Sequence, residues 1–124
     1  MKREGGDDSF DVLFHDALDD EVFRALSDVH RRIVVYYLLE VESTSLEELV
    51  DVVTGWLHAG DGRMATREDR ARIERAFHHQ HLPKLRDSGL VRHDEIEGRV
   101  ELAALSEPER ALVEWSYHRE FDCD

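Results

Sequence analysis

Apolar residues in the first third of the chain recur at helical spacing. Phe10, Leu13, Phe14, Ala17 and Leu18, then Val22, Ala25 and Leu26, keep one stripe, so the pattern predicts helix between about residues 10 and 26. Asp19 or Asp20 can cap a separate second piece of it. Residues 1–9 are polar and rich in Gly and Asp, the composition of a disordered leader. A second helix is predicted from Ser27 or Asp28 to about Glu40, with Ile33, Val34, Tyr37 and Leu38 inward. Its run Ile33-Val34-Val35 is β-branched and poor in an isolated helix, so tertiary packing must hold it. Ser45 and Glu48 form an S-x-x-E capping box that opens a third helix to about Trp56, with Leu46, Leu49, Val50 and Val53 facing the core. Two glycines within residues 58–62 mark a loop.

Thr66 with Asp69 is a further cap, and the helix it opens runs from Arg67 toward Asp87. Two facts disturb it. Pro83 has no N–H and clashes with the preceding turn, costing about 3 kcal/mol in a regular helix. The apolar phase also breaks: at about 100° per residue Ile73 and Phe77 share a stripe, while Leu82 and Leu85 fall nearly opposite. A kink or short break between Phe77 and Pro83 satisfies both. Gly89 ends the helix, and residues 90–95 and 99–105 pair as a hairpin turning near Glu97-Gly98. Ser106 and Glu109 cap a last helix, with Pro108 tolerated in its first turn. Its Leu112, Val113, Trp115, Tyr117 and Phe121 give more apolar surface than a short terminal helix needs alone, which predicts a dimer interface. The expected fold is mainly α with a small β-hairpin: one domain over residues 10–105, then a C-terminal helix over 106–124.

Three blocks carry a family resemblance across about residues 18–105: Phe23-Arg24-Ala25-Leu26-Ser27-Asp28 followed by His30-Arg31-Arg32, then Ser45-Leu46-Glu47-Glu48-Leu49-Val50, then residues 78–91, HHQHLPKLRDSGLV. In order and spacing these resemble the winged helix-turn-helix transcription regulators of ArsR-like type, and nearest of all a winged-helix family of halophilic archaea. The resemblance implies a winged helix-turn-helix fold, with the helix at about 67–87 in the DNA major groove and the hairpin at about 90–105 as the wing. It further implies a homodimeric regulator of transcription, and a His81 ring that hydrogen-bonds the DNA backbone.

Charge taken over the whole chain opposes that function. The chain carries 29 acids and 16 bases, a net charge of −13, the wrong overall sign for a partner of phosphate. Only Lys2 and Lys84 are lysines. Short acidic side chains with almost no lysine suit a high-salt cytoplasm, so the acidity reads as solvent adaptation. Its distribution agrees: residues 63–86 hold seven bases and three acids, a net of +4, while the rest holds nine bases and 26 acids, −17.

Within that island Arg67, Arg70, Arg72, Arg75, Lys84 and Arg86 can bind phosphates or guanine edges, with Glu68 and Asp69 turned away from the duplex. The alternative is i, i+4 pairing with those acids on a solvated face. His78, His79 and His81 are read as structural or DNA-contacting. A metal-responsive role is the rival reading, yet three histidines on one helix cannot all face one ion, since His79 lies about 100° around from His78. A site would need His93, His118 or a second subunit. Arg31 and Arg32 either touch phosphate or pair with nearby acids; Arg92, His93 and Arg99 can reach the minor groove, against Glu95, Glu97 and Glu101. Trp56, Trp115, Tyr36 and Tyr37 read as core or interface before ligand cage. No nucleophile elbow, phosphate loop or H-E-x-x-H occurs and the single cysteine, Cys123, has no base in reach, so neither an enzyme nor a cofactor is expected. No apolar run approaches a membrane span and no signal-peptide core is present, so the expectation is a soluble cytoplasmic protein whose partners are double-stranded DNA and a second copy, with any effector unknown. A winged helix that binds only protein is the remaining alternative, and it would have no need of the basic island.

Overall fold

Side-chain caps set where the helices begin. The computed structural model describes residue 18, residues 20–59 and residues 64–121; the expectations for residues 1–17, Asp19, Gly60, Gly62 and Cys123 lie outside these. Helix α1 spans Asp20–Ala25. Helix α2 spans Val29–Val41 because Asp28, in extended backbone, accepts the His30 N–H at 2.8 Å. It ends where Glu42, at φ +71°, returns its N–H to the Leu38 carbonyl. Helix α3 spans Leu46–Ala59, three residues longer than expected, and opens with Ser45 Oγ accepting the Glu48 N–H at 3.0 Å. Only half of that box forms, since the Glu48 carboxylate accepts the Tyr37 hydroxyl instead of the Ser45 N–H. At Thr66 and Asp69 both halves are present, and they open helix α4, Arg67–Ala76. The Ser106–Glu109 box is likewise reciprocal and opens helix α6, Glu107–Phe121.

The long helix does not break. Between α4 and helix α5, Leu82–Ser88, lies one π-helical turn, Phe77–His81, in which the Leu82 N–H bonds the Phe77 carbonyl five residues back. The wider turn takes up one extra residue, so Leu82 and Leu85 rotate back to the side of Ile73 and Phe77, and all four are buried. It also accommodates Pro83 in the first turn of α5, where no regular i→i−4 bond is lost. Phase break and proline thus share one cause. Gly89, left-handed at φ +81°, closes α5 as expected.

Strands β2, Val91–Asp94, and β3, Arg99–Leu102, form the hairpin, with Val91 opposite Leu102 and His93 opposite Val100. The second strand is three residues shorter than expected. Asp94 accepts the N–H groups of Ile96 and Glu97 and shapes the turn, which Gly98 completes at φ +70°. A third strand, β1, Ser43–Ser45, was not anticipated; it pairs antiparallel with β3, giving the order β1-β3-β2. The fold is therefore mainly helical with a small three-stranded antiparallel sheet. Its core joins Val22 and Ala25 to Ile33, Val34 and Leu38, to Leu49 and Val53, to Phe77 and Leu85, and to Val100. In α2 the inward tyrosine is Tyr36; Tyr37 is half-buried.

Helix α6 folds back onto α2. Glu120 holds the Arg32 guanidinium through both oxygens, at 2.9 and 2.8 Å, and accepts the Tyr36 hydroxyl at 2.7 Å. Val113 is completely buried in its own chain, so its place in an expected dimer interface is corrected to the core, and Leu112 packs half-buried beside it. Tyr117 and Phe121 make ring contacts with Tyr36 while staying partly exposed; Trp115, 60 % exposed, carries the Arg119 guanidinium 5.5 Å over its ring.

Candidate nucleic-acid interface

The outer side of residues 67–88 presents a row of basic side chains. Arg67, Arg72, Arg75, His78, His79, Lys84 and Arg86 are all exposed on it, and the π turn keeps Lys84 outside while Leu82 and Leu85 go in. In an uninterrupted α-helix the phase would place Leu82 outward and Lys84 inward. The face owes its second half to that turn.

Its cations differ in what they already bind. Arg70 bonds Asp51 of α3 at 2.6 Å and Glu74 at 3.3 Å, and these acids raise its pKa, the Asp51 hydrogen bond most. Arg72 holds Asp69 at 2.6 Å, and Arg86 reaches Glu95 on the hairpin turn at 3.3 Å. Among the described residues no acid pairs with Arg67, Arg75 or Lys84. The pairing with acids of the same helix is thus present at Arg70 and Arg72. Asp69 is buried in its capping box, whereas Glu68 stays exposed among the bases. On the hairpin, Arg92 pairs with Glu101 at 3.2 Å, while Arg99 donates to the neutral Ser43 hydroxyl at 2.9 Å and pairs with no acid among the described residues. His93 is half-buried, with Nδ1 enclosed and without a partner.

His81 requires a correction. It was expected at the DNA backbone, yet it is 3 % exposed and points inward at the end of the π turn. Its Nδ1 lies 2.9 Å from Nη1 of Arg31, itself buried, and since a guanidinium can only donate, Nδ1 is the acceptor and the ring proton sits on Nε2. Arg31 spends its other donors on the carbonyls of Ala25, at 2.8 Å, and Arg24, at 3.2 Å, where α1 ends. Neither phosphate nor a nearby acid, the two expected partners, is what Arg31 binds. Arg32, by contrast, pairs with an acid 88 residues away in sequence, Glu120.

The His30 ring stacks on His81 with centroids 4.8 Å apart and planes 14° from parallel, and its Nδ1 donates to Asp28 at 3.0 Å. Burial pushes the His81 pKa down to about 4; the Asp28 carboxylate opposes the shift, and the positive charges of His30, Arg31 and Lys84 add to it. Burial pushes Asp28 the other way, but the His30 N–H bond and the two imidazoles leave it below its ordinary value.

Asp28, His30 and His81 form the one group of three potential metal ligands close together among the described residues. Parallel stacked rings direct their in-plane lone pairs side by side and not at a common point. The His81 Nδ1 lone pair is also occupied by a cation, Arg31. The arrangement serves as a lock between α1, α2 and the π turn. His78 and His79 stand outside the domain and His81 inside, so the three do not meet at one ion.

A family is identified on the same span. The chain belongs to the DUF7344 family. That family, described as a domain of unknown function, matches residues 23–101, from within α1 through β3. The DUF7344 match takes in the lock, the π turn and the whole basic face, and leaves α6 beyond its end. No curated protein and no solved structure matches the chain. No helix among the described residues is long and apolar enough to cross a membrane.

Proposed function

We propose that this DUF7344 chain is a winged helix-turn-helix DNA-binding regulator of transcription that acts by binding and not by catalysis. The observation that carries the reading is the outer face of residues 67–88, where Arg67, Arg75 and Lys84 have no acid partner among the described residues and stand beside His78 and His79 in a chain of net charge −13. Strong acidity elsewhere repels a polyanion, so a face that concentrates free cations selects the orientation in which DNA can approach. The order of elements supports it: helix α2, strand β1, helix α3, the long helix, then a hairpin whose second strand pairs with β1. That is the order of a winged helix, with residues 67–88 as the reading helix and residues 91–102 as the wing.

In this reading Arg67, Arg75 and Lys84 meet phosphate, His78 and His79 lie at the groove, and Arg99 supports from the hairpin. Arg70, Arg72 and Arg92 mainly hold the scaffold, because their guanidiniums are engaged by acids. The exposed side of α6 around Trp115 joins two copies, so that paired half-sites are read together. A salt-rich cytoplasm is the setting that suits the acid-rich, lysine-poor remainder.

The test is selection of bound sequences from random duplex DNA in about 1 M salt, where a Debye length of roughly 3 Å leaves only close contacts. Enrichment of a defined sequence is expected. A pool that stays random, with no retained duplex, contradicts the reading.

A further inference from the structure

The aromatic residues that the sequence placed in core or interface line a cavity. Tyr36, Tyr37, Leu39 and Glu40 of α2, Trp56 of α3 and Tyr117 of α6 enclose a volume of about 230 Å³. Tyr36 meets Tyr117 edge to face, with centroids 5.2 Å apart and planes at 79°, and Trp56 meets Phe121 at 5.2 Å and 77°. Near-perpendicular pairs set ring faces against ring edges around a corner, and every aromatic face carries the negative end of a quadrupole.

We propose that this cavity binds a small quaternary ammonium cation of the choline type. Four of the six lining residues carry aromatic rings, and a ring face attracts a cation, that of tryptophan most strongly. The hydroxyls of Tyr36 and Tyr37 donate to the carboxylates of Glu120 and Glu48, which pushes electron density back into both rings. Glu40 at the rim has no hydrogen bond or ion pair among the described residues, so one negative charge is uncommitted there.

The same features exclude other cations. A lysine ammonium or a hydrated metal ion would surrender several hydrogen bonds or ligands and recover one carboxylate, a net loss on leaving water. A fully methylated ammonium has no N–H to leave unsatisfied, and its methyl groups match the carbon walls. Net charge −13 raises the local concentration of any cation at the surface, and the cavity selects among them. This site is independent of the DNA reading.

The experiment follows the N-methyl proton resonance of choline by saturation transfer from the full chain, with potassium chloride adjusted to hold ionic strength constant. Its neutral isostere, 3,3-dimethylbutan-1-ol, is titrated in parallel. Saturable choline binding is expected, with the isostere weaker by about tenfold, the ratio that roughly 1.4 kcal/mol of cation–π attraction produces. Tyr37→Leu and Glu40→Gln, at half-buried and exposed positions, should each weaken choline severalfold while circular dichroism stays that of the parent. A trimethyllysine peptide that binds no better than choline assigns the site to the free cation; one about tenfold tighter assigns the same chemistry to a modified protein side chain. Equal binding of choline and the isostere, no saturable transfer, or unchanged affinity in both variants overturns the proposal.

Discussion

Arg31 Nη1 lies 2.9 Å from His81 Nδ1, a buried guanidinium joined to a neutral imidazole with no carboxylate in the bond. The rest of the guanidinium caps the carbonyls of Arg24 and Ala25, so a single side chain ties the end of α1 to the π turn of the proposed reading helix. The partial negative charge of those carbonyls is what makes a buried cation tolerable.

Removing the guanidinium should therefore cost more than an average substitution. Arg31→Met keeps the length and leaves the Ala25 carbonyl and an imidazole nitrogen without donors, each worth about 1–3 kcal/mol, while the Arg24 carbonyl keeps the Ser27 N–H and hydroxyl. A loss of at least about 2 kcal/mol in urea unfolding is expected, against less than about 0.5 kcal/mol for Arg92→Met at the exposed hairpin pair.

His81 makes stability depend on pH in a defined window. Its pKa is about 4 folded against 6.5 for an ordinary histidine, so between those values the unfolded chain binds the additional proton. Stability contributed by the neutral ring is complete above about pH 6.5, falls as pH drops, and levels off below about 4, a change on the order of 3 kcal/mol. The groups facing the ring are Asp28, His30, Arg31 and Lys84. Unfolding midpoints from pH 7 to 4 should slope downward for the parent and flatten in His81→Gln, whose amide oxygen can still accept from Arg31. Equal slopes in the two would remove histidine from the account.

The π turn yields a register test. Deleting Gln80 shortens the turn by one residue, converts it to regular helix, and keeps Phe77 and Leu82 on the buried side. Alone, the deletion forces Pro83 into a regular helix at about 3 kcal/mol. Combined with Pro83→Ala it should recover most of that loss. Recovery absent in the double variant, measured by denaturant midpoint, would mean that the extra residue has a role beyond phase.

Helix α6 separates packing from assembly. Val113→Glu buries a charge in the core and should abolish folding, whereas Trp115→Glu on the exposed side should leave the circular dichroism unchanged and convert a dimer to monomer in light scattering. A parent that is already monomeric at micromolar concentration would contradict the assembly reading.

Local chemistry made much of this legible in the sequence. The Thr66–Asp69 and Ser106–Glu109 boxes, the Gly89 stop and the Gly98 turn each need only residues within four positions of one another, and each lies where expected. The disturbance near Pro83 was also visible, but its resolution was not: a kink and a π turn satisfy the same apolar phase, and only packing of Phe77 against the core selects the turn. Strand β1 is three hydroxyl residues without apolar alternation, and its pairing with β3 spans 56 residues. Arg31–His81 and Arg32–Glu120 join positions 50 and 88 residues apart. Such pairs leave no periodic trace, so His81 was assigned to the surface and Val113 to an interface. The split of the basic island into engaged and free cations escaped for the same reason, since Asp51 lies on another helix.

The central claim is that the free cations of residues 67–88 bind duplex DNA, and salt dependence tests it most directly. Affinity for a selected duplex should be measured between about 0.3 and 1 M salt for the parent and for the combined Arg67→Ala, Arg75→Ala, Lys84→Ala variant. Each lost phosphate contact reduces the slope of log affinity against log salt by about 0.9, so a difference approaching roughly 2.7 is expected, with large loss of affinity and unchanged circular dichroism. Arg92→Ala, whose cation already pairs with Glu101, should shift the slope far less than one free cation does. A triple variant with the parent's affinity and slope would show that DNA does not lie on this face.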